Sequence, residues 1–237
     1  MTEFSPAPNP APDLLADPAA LRQYRGFIFD CDGVLIDSLV ANTAYYNTFR
    51  EHFGLAPMSV EDQMFTHTQN VFDSLRRIIP PELYDAAMAH RKHVDYRKIL
   101  PHLRREPGVR RLLTWLKGAP FALGVNTNRT DTTDMVFAAV DLEGFFDPIM
   151  TAGIAPKPKP DPAGMHAILD AWGLKPGEVV FIGDSDVDEM TAKNSGVPFW
   201  AYKNPELAAE LHVPDFAQLL GALKRAWPEI PGAVQGT

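Results

Sequence analysis

One cysteine, Cys31, is the whole thiol content of the 237 residues. It excludes an intrachain disulfide and fits a reducing compartment. Positive charge is also short: 22 Lys and Arg against 30 Asp and Glu leave a net charge of −8. No run of Lys and Arg makes a basic stripe, so nucleic acid is not an expected partner. No apolar run approaches the length of a membrane span. The amino-terminal stretch lacks a basic start followed by an apolar run. No signal peptide or membrane partner is therefore expected, and a cytoplasmic location is. Internal repeats are missing too. The remaining composition, 46% hydrophobic and 22% charged, is that of a soluble globular chain able to build a core. Its length fits one large domain, or a core with a smaller inserted unit.

Residues 1–20 are rich in Pro and Ala without periodicity and are expected to be a flexible tail, as are 231–237. Between them strands are expected over 25–30, 121–126, 147–151, 178–183 and 197–202. Helical patterns occupy 108–117, 131–140, 161–172 and 186–195. Asp161-Pro162 reads as a helix start, an N-cap acid before Pro at the first helical position. Such alternation implies a parallel sheet covered on both faces. It lapses from Ser38 to about Pro101. Leu39, Tyr46, Phe49 and Phe53 share a helical face that Gly54 ends. Ser59-Val60-Glu61-Asp62 resembles a capping box. Residues 71–79 read as a short helix stopped by Pro80-Pro81, and Leu83, Ala87, His90 and Val94 as a longer one. The expected architecture is α/β. A Rossmann-like parallel-sheet core spans 21–37 and 103–230, and an inserted α-helical cap domain spans 38–102, placed to lie over the end of the first strand.

That first strand, Phe27-Ile28-Phe29, ends in Asp30-Cys31-Asp32-Gly33-Val34-Leu35-Ile36-Asp37-Ser38. Two carboxylates one residue apart at a sheet edge repel unless a cation lies between them or one holds a proton. Packing does not ask for that arrangement. Asn126-Thr127-Asn128-Arg129 ends the second strand, Lys157-Pro158-Lys159-Pro160 follows the third, and Gly183-Asp184-Ser185-Asp186-Val187-Asp188 ends the fourth. In a parallel α/β sheet all carboxyl ends lie on one edge, so Asp30, Asp32, Thr127, Lys157 and Asp184 are expected to converge. The set suits phosphoryl transfer. Mg²⁺ takes carboxylate oxygens together with phosphate, and a carboxylate can attack phosphorus. A second acid can move the proton, while a hydroxyl and a lysine can stabilise phosphoryl oxygens.

These four segments, in this order, resemble the motifs of the haloacid dehalogenase-like hydrolase superfamily, from about Gly26 to Tyr202. The likeness is to phosphoglycolate phosphatase-like and β-phosphoglucomutase-like members with a helical cap. The resemblance implies Asp30 as nucleophile, and Asp32 as general acid/base that also lends a backbone carbonyl to Mg²⁺. It implies Asp184 as second carboxylate ligand, Asp188 as outer support of the metal, and strict Mg²⁺ dependence. Thr127 would bind phosphate with Asn128 beside it, and Lys157 would hold nucleophile and phosphate. Lys157 is favoured over Lys159 because the family pattern places Lys before Pro-x-Pro. Gly33 and the cap's His67 complete the expected phosphate- and substrate-binding set.

Competing readings are weaker. Asp184, Asp186 and Asp188 do not form a calcium loop: the sixth position holds Glu189 instead of Gly, and the twelfth Ser195 instead of Glu. Asp186 is expected to be exposed or to cap the next helix. Cys31 faces away from the acids and is expected in the core. Asp37 and Ser38 are assigned to the hinge and the N-cap of the first cap helix. The polar stretch Thr66-His67-Thr68-Gln69-Asn70 is either a solvated turn or a substrate-facing loop. Asn42 and Tyr45 lie near the hinge, and Arg76, Arg77, Lys92 and Arg97 are read first as surface charges. The expected activity is Mg²⁺-dependent hydrolysis of a small phosphate monoester by a monomer. A sugar phosphomutase is the alternative, disfavoured because Asn42-Thr43-Ala44-Tyr45-Tyr46 lacks a His. A phospho-acceptor module is disfavoured by length and by the cap. Dehalogenation is disfavoured because a leaving halide needs no acid such as Asp32.

Overall fold

Strand β1 (Gly26–Phe29) is apolar throughout because both its faces are covered. Its alternating side chains enter two different cores. Phe27 and Phe29 point into one, Ile28 into the other. The same split recurs along β6 (Val179–Gly183): Val180 and Ile182 join the first core, Val179 and Phe181 the second. The computed structural model describes residues 18–230. Residues 1–17 and 231–237, most of the two expected tails, lie outside the described residues. Pro18–Gln23 forms a 3₁₀ turn in which Leu21 is buried.

Beside β1 run β4 (Ala122–Thr127) and, beyond it, β5 (Ile149–Thr151). On the other side of β1 lie β6, then β7 (Phe199–Tyr202) and β8 (Leu211–Val213). The order is β5-β4-β1-β6-β7-β8, and every pairing is parallel. Helices α5 (Val109–Lys117) and α9 (Phe216–Ala226) cover the first face through Leu112, Leu116, Leu219 and Leu223. Helices α7 (Ala163–Trp172) and α8 (Asp186–Ser195) cover the second with Met165, Ile168 and Ala192. Full burial of a Leu, Ile or Met side chain contributes about 1.5–3 kcal/mol. Gly124 leaves room for the Trp172 ring: a Cβ there would lie 2.8 Å from it. Helix α6 (Thr133–Ala139) follows β4.

The cap leaves and rejoins the core through a two-stranded hinge, β2 (Ile36–Asp37) antiparallel to β3 (Arg104–Arg105). Within it α1 (Leu39–His52), α2 (Val60–Thr68), α3 (Val71–Ile78) and α4 (Tyr84–His90) enclose a separate core of Tyr46, Phe49, Leu75, Ile78 and Ala87. Ser59 caps α2 by accepting from the Asp62 N–H at 3.1 Å. The α/β core with an inserted helical cap is thus as expected, with strand edges shifted by one or two residues. Several details differ. The two hinge strands, β8 and α9 were not anticipated. The N-cap position of α7 is held by Pro162, not Asp161, and makes no side-chain capping bond; Asp161 Oδ1, one residue earlier, accepts from the first-turn Ala163 N–H. Ser38 precedes α1 but makes no capping bond, because its hydroxyl goes to Asp32. Thr66 to Thr68 are helix, not loop, and Asn70 caps α3. Among the described residues no helix is long and apolar enough to cross a membrane.

Candidate active site

The chain leaves β1 in a tight turn. The Leu35 and Ile36 N–H groups both donate to the Cys31 carbonyl, at 2.9 and 3.0 Å, and the Gly33 N–H donates to the Ile36 carbonyl at 2.8 Å. Cys31 is buried in the core, which turns Asp30 and Asp32 together toward the cap. Gly33 has φ +80°, and a Cβ there would stand 2.1 Å from Asp184 Oδ2. It therefore serves by making room for that carboxylate.

The lysine at the site is Lys159, not Lys157. Lys159 Nζ donates to Asp30 Oδ1 at 2.7 Å and to Asp188 Oδ1 at 2.6 Å, with its side chain 4% exposed. Lys157 is 72% exposed and lies 3.5 Å from Asp161. The pattern that favoured Lys157 fits Lys159 as well, because Lys159 also stands before a Pro-x-Pro, Pro160-Asp161-Pro162. Asn128 decides between them. Its Oδ1 accepts from the Lys159 N–H at 2.9 Å and its Nδ2 donates to the Lys159 carbonyl at 3.3 Å. Asn128, expected beside the phosphate, lines the cleft, and both ends of its side-chain amide serve in fixing that lysine. Thr127, the last residue of β4, is buried, and its Oγ1 accepts from the Arg129 N–H at 3.2 Å. Its own proton remains available to a ligand.

Asp184 and Asp188 follow β6. Asp188 is fully buried. Its Oδ2 accepts from Ser185 Oγ at 2.6 Å and from the Ser185 and Asp184 N–H groups at 3.2 and 3.3 Å. With both oxygens occupied, it is a scaffold for the loop and for Lys159. Among the described residues no hydrogen bond reaches the Asp184 carboxylate. One oxygen each from Asp30, Asp184 and Asp188 lies within 4.8 Å of the others. Asp186 is exposed, and Ser185 caps α8.

Arg129 was not among the residues expected at the site. It is nearly buried, and it grips Asp32 with two bonds, Nε to Oδ2 at 2.8 Å and Nη2 to Oδ1 at 2.6 Å. Its Nη1 donates to the cap's Tyr96 hydroxyl at 2.8 Å and to Thr132 Oγ1 at 3.1 Å. A basic residue just after a strand that borders the acid-bearing strand was the available signal. The next loop residues are gripped as well: cap Arg91 Nη2 donates to Thr130 Oγ1 and Asp131 Oδ1, each at 2.6 Å.

The acids differ in their electrostatics. Burial raises Asp30 most; Asp188 and Asp32 add to this against the pull of Lys159, and the carboxyl is pushed up to about 7. Burial, Asp188 and Asp30 likewise push Asp184 well above the usual carboxylate range. Burial also opposes ionisation of Asp32, but the Arg129 guanidinium and the Ser38 hydroxyl outweigh it and hold that carboxyl below its ordinary value. A cation among Asp30, Asp184 and Asp188 would relieve the repulsion.

The cap closes over these groups, leaving a cleft of about 60 Å³ reached by Asn42, Tyr45, His67, Gln69 and Tyr96. His67 Nδ1 is 3.1 Å from Asn42 Nδ2, and burial lowers its basicity. Arg76, Arg77 and Arg97 are surface residues paired with Asp73, with Glu61 and Asp62, and with Asp95. Lys92 is exposed.

The sequence model of the haloacid dehalogenase-like hydrolases matches residues 27–202. A phosphoglycolate phosphatase of Chromobacterium violaceum is 28% identical, with 86% of this chain and 98% of that one covered. One of Caulobacter vibrioides is 30% identical, over 72% and 75%. Pyrophosphatase PpaX of Bacillus velezensis is 27% identical, over 74% and 81%. A crystal structure of a haloacid dehalogenase-superfamily hydrolase of subfamily IA from Geobacter sulfurreducens superposes with a TM-score of 0.69 at 35% identity, covering 85% of this chain and 97% of that one.

Proposed function

The chain belongs to the haloacid dehalogenase-like hydrolase family, and on that premise we propose that it is a Mg²⁺-dependent phosphatase that hydrolyses a small phosphate monoester through an aspartyl-phosphate on Asp30. The observation that carries this is the state of Asp30. Lys159 holds Oδ1, no hydrogen bond among the described residues reaches Oδ2, and the carboxylate lies on the cleft beside Asp32 and Thr127.

An Asp30 oxygen forms a bond to phosphorus as the ester P–O bond breaks. Asp32 gives its proton to the departing alkoxide. Water then attacks phosphorus, Asp32 takes its proton, and the Asp30–phosphorus bond breaks to release phosphate. A positioned acid/base contributes on the order of 10²–10⁴-fold. Lys159 and the Thr127 hydroxyl stabilise the charged transferring group. Asp32 is held ionised where Arg129 grips it, which suits the second step. The proton it takes from water in that step is the one it gives to the next departing alkoxide.

The donor set fits Mg²⁺: oxygens only, with Asp184 unengaged and Gly33 leaving it space. Asp30, Asp184 and the Asp32 carbonyl would hold the ion, and Asp188 would support them. When bound, it would neutralise charge on the phosphoryl oxygens. Because Asp30 and Asp184 are raised, Mg²⁺ must displace protons to bind at low pH. Its apparent affinity is expected to weaken as pH falls below about 7, by up to about tenfold per unit for each proton displaced. Calorimetric titration at pH 6 and pH 8 measures this, and equal affinity would contradict it.

Phosphate release from a panel of small esters, with Mg²⁺ and with EDTA, tests the function. Strong release from a few esters, abolished by EDTA, is expected. Release that survives EDTA would remove the cation, and no release from any ester would overturn the phosphatase reading.

A further inference from the structure

The leaving group must lie between the acids and the cap, and the charges there are already matched. Among the described residues no Lys, Arg, Asp or Glu of the cap lines the cleft; the cap's lining is hydroxyl, amide, phenol and imidazole, with the aliphatic Val71. Among the described residues two core cations reach the cleft, and both are engaged: Lys159 lies between two carboxylates and Arg129 spends two donors on Asp32. The cap's Arg91 is turned onto Thr130 and Asp131. Arg50 is bonded to the carbonyls of Ala56 and Ile78.

A substrate carrying a second anion would bring it against Asp32 and Asp131 without a free cation, and an unpaired buried charge is costly. Hydroxyls would meet partners of the right kind, since Asn42, Gln69 and the tyrosines both donate and accept. A cleft of about 60 Å³ that already includes the phosphoryl position favours a small leaving group.

Resting on the phosphatase reading, we propose that the substrate is the phosphate ester of a small, uncharged, hydroxyl-bearing alcohol, and not of a carboxylate or a second phosphate. Chemistry at Asp30 is unchanged; the cap's neutral lining selects the leaving group.

The test compares kcat/KM for glycerol 1-phosphate, 2-phosphoglycolate and inorganic pyrophosphate at fixed free Mg²⁺. The glycerol ester is expected to lead by at least about tenfold, as the loss of one unmatched-charge interaction permits. Gln69→Lys, which adds a cation to the lining, is expected to narrow that ratio by improving KM for 2-phosphoglycolate. Preference by the unaltered protein for either anionic substrate would overturn this proposal and leave the phosphatase intact. Release from none of the three, nor from p-nitrophenyl phosphate, would overturn both.

Discussion

Asp30→Asn is expected to lower phosphate release by at least on the order of 10⁴-fold, the scale on which an enzyme loses its nucleophile. The fold should survive. Asp30 is already costly to ionise, because burial and two neighbouring carboxylates push its pKa up to about 7. A neutral amide of the same shape removes that cost, and Lys159 keeps its bond to Asp188. The melting temperature without metal is therefore expected to equal or exceed that of the unaltered protein, so lost activity is not lost structure. Turnover within tenfold of normal would remove Asp30 from the chemistry.

Lys159→Met and Lys157→Met form the second test. Lys159 joins Asp30 to the buried Asp188. Removing one partner of a buried ion pair costs about 3–5 kcal/mol. Uptake of a proton by Asp30 brings the cost to about 3, a melting shift of about 6–12 °C at this chain length. Loss of a positioned charge should also lower kcat by about 10²–10³-fold. Lys157 is a solvated partner of Asp161, and its replacement should stay within about 0.5 kcal/mol with normal turnover. Thermal melts and phosphate release on the two variants decide. The reverse ranking would restore the Lys157 assignment.

Those two lysines mark where sequence pattern stops. Asp30 and Asp32 were legible because a continuous apolar run ending in two acids has no packing explanation. Asp184 followed from the same logic on β6, and Asp188 from the family resemblance. The family and the α/β core with its cap were legible from the order of the four segments and the lapse in alternation. Lys159 was not, because the choice of register is made by the Asn128 amide, 31 residues away in sequence. Arg129 stood in plain view, but its two bonds to Asp32 span 97 positions. The hinge strands hold only two residues each, too few for any periodicity, and three-residue β8 is little longer. The polar stretch at His67 looked like a loop because its polar side chains face the cleft and Asn42 instead of an apolar core. Tertiary pairing decided each of these.

Stereochemistry at phosphorus tests the covalent step most directly. Hydrolysis of an isotopically chiral phosphate ester through an aspartyl-phosphate inverts phosphorus twice, and net retention is the expected result. Net inversion would mean that water attacks the ester in one step, and would contradict the role given to Asp30.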